Sequence, residues 1–220
     1  MIFRDRVEAG KKLAKLLKKY GGGEVVVYAL PRGGVVVGAE VAKALNAPLD
    51  LIITRKIRHP YSPEYAIGAV AENGHSILNK DEVLGIDEEY LKEEGYKQQL
   101  EARRRREVYL SGRKPIPCRG KVAILVDDGI ATGFTVKAAV SELKLHYFPK
   151  KIIVAVPVAP VDIAEELEKE GVEVKAVSLE EDFLGAIGAY YRDFSTVEDS
   201  DVVKIMKKVK GYGHIPIQAV

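Results

Sequence analysis

Val122-Ala123-Ile124-Leu125-Val126-Asp127-Asp128-Gly129-Ile130-Ala131-Thr132-Gly133-Phe134-Thr135 decides how this chain folds. Five aliphatic residues without a polar interruption read as a strand buried on both faces. They run directly into two carboxylates and then into small and hydroxylated residues, and helical spacing returns over Val136 to Leu145. Each residue type in the connecting loop has a chemical use. Adjacent carboxylates at a strand end can accept hydrogen bonds from a vicinal diol such as the 2- and 3-hydroxyls of a ribose. Small residues at 131–135 leave backbone N–H groups free to wrap a phosphate, and the following helix N-terminus adds partial positive charge. A plain helix cap through Asp128 or Thr132 is the competing account, but a cap needs neither a second carboxylate nor an ordered Thr-Gly-x-Thr. No Gly-Lys-Ser/Thr closes the loop, which separates it from the nucleoside-triphosphate P-loop.

Outward from this stretch the chain alternates between buried runs and helical periods. Val7, Leu13, Ala14, Leu17 and Tyr20 fall at helical spacing, and Gly21-Gly22-Gly23 stops that helix. Strands are predicted over Val25 to Leu30, Leu49 to Thr54, Ala66 to Ala71, Ile152 to Val156 and 172–177. Helices are predicted over Val35 to Asn46, 161–170 and 199–209. Such alternation implies an α/β fold with a mostly parallel central sheet and helices on both faces. Ligands then bind beyond the carboxyl ends of the strands. Residues 80–112 differ: they are highly charged with a thin apolar stripe, and read as a helical insert on a single domain spanning 1–220.

Composition removes several function classes. With 34 basic and 32 acidic residues there is no net field to hold nucleic acid, and nucleic-acid binding is not expected. Arg103 to Arg106 would point around most of a helix rather than form one phosphate-binding stripe. No stretch approaches the roughly 18 apolar residues of a membrane span, nothing resembles a signal peptide, and a cytoplasmic setting is expected. The single cysteine, Cys118, excludes an internal disulfide and a zinc cluster. Beside Pro117 at a strand edge, it is expected to be structurally dispensable.

The 122–135 segment resembles the 5-phosphoribosyl-1-pyrophosphate (PRPP) motif of type I phosphoribosyltransferases. The resemblance implies that fold, with a C-terminal hood near 178–198. It implies that Asp127 and Asp128 hold the ribose hydroxyls, while Gly129 and Ala131-Thr132-Gly133-Phe134-Thr135 cradle the 5-phosphate. Leu30-Pro31-Arg32-Gly33-Gly34 occupies the place of the pyrophosphate loop, where Gly33 and Gly34 let the backbone approach the ligand. That loop often carries a non-proline cis peptide, expected here near Arg32. Read alone, Pro-Arg-Gly-Gly is only a turn. Thr54-Arg55-Lys56 ends the second predicted strand and resembles a basic pair that contacts PRPP. Arg32 and Lys56 are the expected catalytic cations, with Arg55 binding PRPP. The irregular Ile57 to Tyr65 resembles the place of a mobile catalytic loop, in which His59 is either an acid–base group or a surface residue.

Phe183, Tyr190, Asp193 and Phe194 resemble the base-binding hood of purine-type members, although Phe183, Tyr190 and Phe194 equally suit core packing. The family's chemistry is Mg²⁺-dependent transfer of a phosphoribosyl group from PRPP to a nitrogenous acceptor. The ion would be held mainly through PRPP or pyrophosphate oxygens, with no protein metal site. Ala131 stands where oxopurine enzymes place an aspartate, which favours an adenine-type acceptor, whereas the hood is closer to the oxopurine type. A homo-oligomer, a dimer first, is expected. Two other readings stay open: a non-catalytic sensor of PRPP or a nucleotide that binds RNA, DNA or a protein, and a PRPP hydrolase.

Overall fold

Along residues 1–209, which the computed structural model describes, helix α1 (Arg6–Leu16) leads into strand β1 (Val25–Ala29), α2 (Gly33–Leu45) and β2 (Leu49–Leu51). Strands β3 (Thr54–His59), β4 (Ser62–Ala71) and β5 (Ser76–Leu78) follow, then the long helix α3 (Glu88–Leu110). The chain continues through β6 (Val122–Val126), α4 (Phe134–Glu142), β7 (Lys151–Pro160), α5 (Val161–Lys169), β8 (Glu173–Glu180) and α6 (Asp199–Lys208). Residues 210–220 of the expected domain lie outside the described residues.

Five strands form a parallel sheet in the order β2-β1-β6-β7-β8. Alternation along each strand divides two cores. Val25, Val27 and Ala29 of β1, with Ile124 and Val126 of β6, face α1, α2, α3 and α6. Val26 and Tyr28, with Ala123 and Leu125, face α4 and α5. Burial on both sides is why these strands read as continuous apolar runs. The order reverses between β1 and β6, so the crevice beyond their carboxyl ends is where a ligand belongs in such a sheet. The loops at 30–34 and 127–135 flank that crevice.

Pro157 sits within a central strand, where a missing N–H should be costly. β6 has already ended at that level: its pairing with β7 stops at Val126 and Ala155. The freed side of β7 accepts the loop instead, with Ile130 N–H donating to Val158 O at 2.9 Å.

Three expectations need correction. Thr54-Arg55-Lys56 does not end the second strand; it opens β3, part of a separate antiparallel sheet ordered β3-β4-β5. The 57–65 segment is a hairpin rather than an irregular loop. Pro60 lies in its turn, and Pro63 lies where the register shifts, so neither proline removes a needed ladder bond. Cys118 is fully buried in the core beneath α4, because the 116–118 segment passes under Tyr28, whose hydroxyl donates to Ile116 O at 2.6 Å.

The charged 80–112 region is α3 with its lead-in, and α3 packs on β3 and α6. Its arginine run divides. Arg104 and Arg105 pair with Glu101, while Arg103 and Arg106 turn inward to the Glu72 and Leu51 carbonyls. Among the described residues no helix is long and apolar enough to cross a membrane.

Candidate functional site

Asp127 and Asp128 emerge at the carboxyl end of β6 and meet the first turn of α2. The approach is close enough to explain both glycines there. A Cβ on Gly34 would lie 2.8 Å from the Asp127 Cα and 3.0 Å from the Val126 carbonyl oxygen. One on Gly33 would lie 1.9 Å from Asp128 Oδ2. Only two residues without side chains let the helix start seat itself against the acid pair. The peptide between Pro31 and Arg32, immediately before, is cis.

Arg6, in the first turn of α1, completes the acid pair. Its Nε donates to Asp128 Oδ2 at 2.7 Å and its Nη1 to Ser195 O at 2.8 Å. Its guanidinium lies 3.8 Å from the centroid of the Phe194 ring. Asp127 Oδ1 accepts from the Asp128 N–H, 2.8 Å away. Burial pushes the Asp127 carboxyl well up, and the adjacent Asp128 charge pushes it further. Burial also raises Asp128, against the opposing pull of Arg6. The pair is thus primed to accept a ligand that brings donors of its own. Sequence reading missed Arg6. Its one signal is a cation in a first helical turn, where the macrodipole disfavours positive charge and a compensating partner should be sought.

The loop beyond the acids is pinned from two sides. Tyr191 donates its hydroxyl to Asp128 O at 2.6 Å. A Cβ on Gly129 would come within 2.7 Å of Ile187 and 3.0 Å of Val158. Gly133 takes φ +76° as the residue preceding α4, and no side chain caps that helix. The first N–H groups of α4 are therefore left for solvent or a ligand. Thr132 is exposed, while Ala131, Phe134 and Thr135 are half-buried around this turn.

The remaining expected residues divide. Arg32 Nη1 reaches Glu198 Oε2 at 3.3 Å and Asp199 Oδ1 at 3.6 Å, so the loop cation is held by the start of α6. Arg55 turns toward α3, where its Nε donates to Gln98 Oε1 at 3.1 Å. Lys56, the next residue on β3, takes the opposite strand face and is exposed. Phe194 is brought to the acid pair through Arg6. Tyr190, expected to meet a base, is instead a core residue. It is 1% exposed, stacks on Phe183 at 5.3 Å, and its hydroxyl accepts from Leu184 N–H at 2.9 Å. Phe183 packs beside it against the cluster around Phe3. Asp193 is exposed, with Oδ1 accepting from Ser195 N–H at 3.0 Å.

The hood is docked on the chain's beginning. Phe3 N–H donates to Tyr190 O, Arg192 N–H to Phe3 O and Asp193 N–H to Arg4 O, at 2.7, 2.8 and 2.9 Å. Among the described residues no group of three or more His, Cys, Asp or Glu side chains is placed to hold a metal ion.

Comparison with known proteins bears on these residues. Residues 6–194 match a family model described as a phosphoribosyl transferase domain. The Mycobacterium tuberculosis H37Rv protein Rv0571c, whose name assigns it provisionally to the phosphoribosyl transferases, is 42% identical over 209 residues. That match covers 94% of this chain and 47% of the relative, and a protein of strain CDC 1551 matches equally. The chain thus spans about half the length of the curated relatives it matches. The crystal structure of TT1426 from Thermus thermophilus is 43% identical and superposes with a TM-score of 0.78, covering 96% of this chain and 100% of that one.

Proposed function

The chain belongs to the phosphoribosyl transferase family, and on that premise we propose that it transfers the phosphoribosyl group of PRPP to a nitrogenous acceptor. The observation that carries this reading is the seating of Gly33 and Gly34 on Asp127 and Asp128, beside the uncapped start of α4. It brings a diol acceptor, a phosphate cradle and a close-approach backbone into one crevice.

Asp127 and Asp128 accept the ribose 2- and 3-hydroxyls, whose protons satisfy carboxylates that burial and mutual repulsion would otherwise penalise. The N–H groups at Thr132 to Thr135 bind the 5-phosphate. The 30–34 loop lies against the pyrophosphate, and Arg32 leaves Glu198 and Asp199 to pair with it. The acceptor nitrogen forms a bond to the anomeric carbon as the bond from that carbon to the pyrophosphate oxygen breaks. The electron pair departs with pyrophosphate, and the acceptor's proton passes to solvent or a nearby base. The residues' contribution is positioning and charge stabilisation. When bound through PRPP oxygens, a magnesium ion would supply neutralisation of the leaving group's charge.

Phe194, held between Arg6 and Tyr191 at the mouth, is the hood residue best placed to face the acceptor. Ala131 in place of an acid favours an adenine-type acceptor. Arg55 and Lys56 reach the ligand in this reading only if the β3–β4 hairpin folds over the crevice. A cytoplasmic homodimer is part of the same proposal. The test is pyrophosphate release from PRPP and Mg²⁺ across a panel of bases. Release dependent on one base supports the transferase. PRPP binding without turnover would favour a sensor, and ribose 5-phosphate formed without a base would favour a hydrolase.

A further inference from the structure

A cavity of about 650 Å³ opens under the end of α3, and none of its lining residues comes from the 30–34 loop, the 127–135 loop or the hood. That volume is in the range of small-molecule sites. Three features of its wall ask for three things in a ligand.

The acidic end asks for donors. Glu72 is 5% exposed, and its Oε1 accepts from Arg106 at 2.9 Å, while its Oε2 has no hydrogen-bond partner among the described residues. Asn73 lies beside it and donates to the buried Glu142, whose second oxygen is likewise without a hydrogen bond. Burial, with Glu142 and Asp50 nearby, pushes the Glu72 carboxyl up to about 7 in spite of Arg106. A carboxylate in this setting is stabilised by any ligand that presents N–H groups to it.

The basic side chains ask for an anion. Four arginines line the cavity against two glutamates, with His146 among them. Arg103 and Arg106 are held by Glu72 and Arg104 by Glu101, which leaves Arg119 as the cation for a ligand. Arg119 is exposed and rests over the Phe148 ring, 4.5 Å from its centroid. The apolar part of the wall asks for a flat apolar group, since Pro115, Pro117 and Phe148 contribute to it. Phe148 is held there at a cost. It takes φ 49° at a helix end where glycine is favoured, and it remains 49% exposed.

The geometry points to a nucleotide as the occupant, with its base on Phe148 and the prolines, its N–H donors on Glu72, and its phosphates on Arg119. This is a second site, and it stands whether or not the transferase reading holds. The measurement is calorimetric titration of the full chain carrying Asp127→Asn and Asp128→Asn, which removes the acid-pair site, with GTP, ATP, UTP and inorganic phosphate alone. The expected result is one bound nucleotide per chain, weakened about tenfold or more by a further Arg119→Glu. Glu72→Gln should weaken the nucleotide and leave inorganic phosphate unchanged. Inorganic phosphate binding as tightly as every nucleotide would overturn the proposal. So would nucleotide binding indifferent to both substitutions, or no binding by the folded chain. Should the doubly substituted chain fail to fold, the unsubstituted and Arg119→Glu chains are compared directly, and equal nucleotide stoichiometry and affinity in the two overturns it.

Discussion

Adding one methyl group at position 34 should unseat the acid pair from the loop that faces it. In Gly34→Ala the new Cβ would lie 2.8 Å from the Asp127 Cα and 3.0 Å from the Val126 carbonyl oxygen. Carbon atoms meet comfortably at about 3.5 Å, so the start of α2 must withdraw by about 0.7 Å. Neither obstacle is a flexible side chain. Val126 O also holds Leu30 N–H at 2.9 Å, so the strand end cannot yield without releasing the loop's own anchor. Overpacking of this kind costs about 1–3 kcal/mol. The larger effect is on the site, because a displacement near 1 Å in a positioned group costs about 100-fold. Urea denaturation and PRPP–Mg²⁺ calorimetry read the two effects separately. Gly23→Ala is the control, since its Cβ would meet only the Tyr20 carbonyl at 3.5 Å. If Gly34→Ala kept the stability and PRPP affinity of the control, the claim that these glycines and the acid pair form one site would be wrong.

Three further outcomes are expected. Asp127→Asn with Asp128→Asn should leave the fold intact by circular dichroism and abolish PRPP binding; unchanged affinity would remove the ribose assignment. Arg6→Met leaves buried Asp128 without its cation and should destabilise the protein by about 3 kcal/mol, with weaker PRPP binding; a stability equal to the parent's would show that the contact carries no energy. Glu72 binds a proton more tightly folded than unfolded, its carboxyl standing near 7 against 4.5. Its effect therefore lowers stability as pH rises from about 4.5 to about 7 and is level above that. Glu72→Gln should gain on the parent by on the order of 3 kcal/mol between pH 4.5 and pH 8. A difference between the two proteins that did not change with pH would refute the assignment.

The parallel sheet was legible because its strands are buried on both faces, and uninterrupted aliphatic runs such as Val122 to Val126 have few other uses. The loop after them was legible because its residue types act locally. The β3–β4 hairpin was not, since Pro60 and Pro63 read as breaks when the ladder positions they avoid are unknown. Tyr190 illustrates a different limit. A tyrosine in an aromatic, glycine-rich segment suits a core or a ligand equally, and only the fold shows its carbonyl held by Phe3 and its hydroxyl by the Leu184 N–H. Arg6 was hidden for the plainest reason: its partner is 122 residues away, and no local pattern records such a contact.

That separation has a consequence for how the protein is made. Arg6 touches both Asp128 and the carbonyl of Ser195, 189 residues along. Ribosomal synthesis delivers the first helix well before the last of these partners. Contacts this distant in sequence form late, after the cost of closing the intervening loop has been met by other structure. A nascent chain can assemble its sheet around the first strands, yet it holds an open crevice until the hood has emerged and closed on Phe3 and Arg4. Incomplete chains would therefore fold in part without acquiring a finished site.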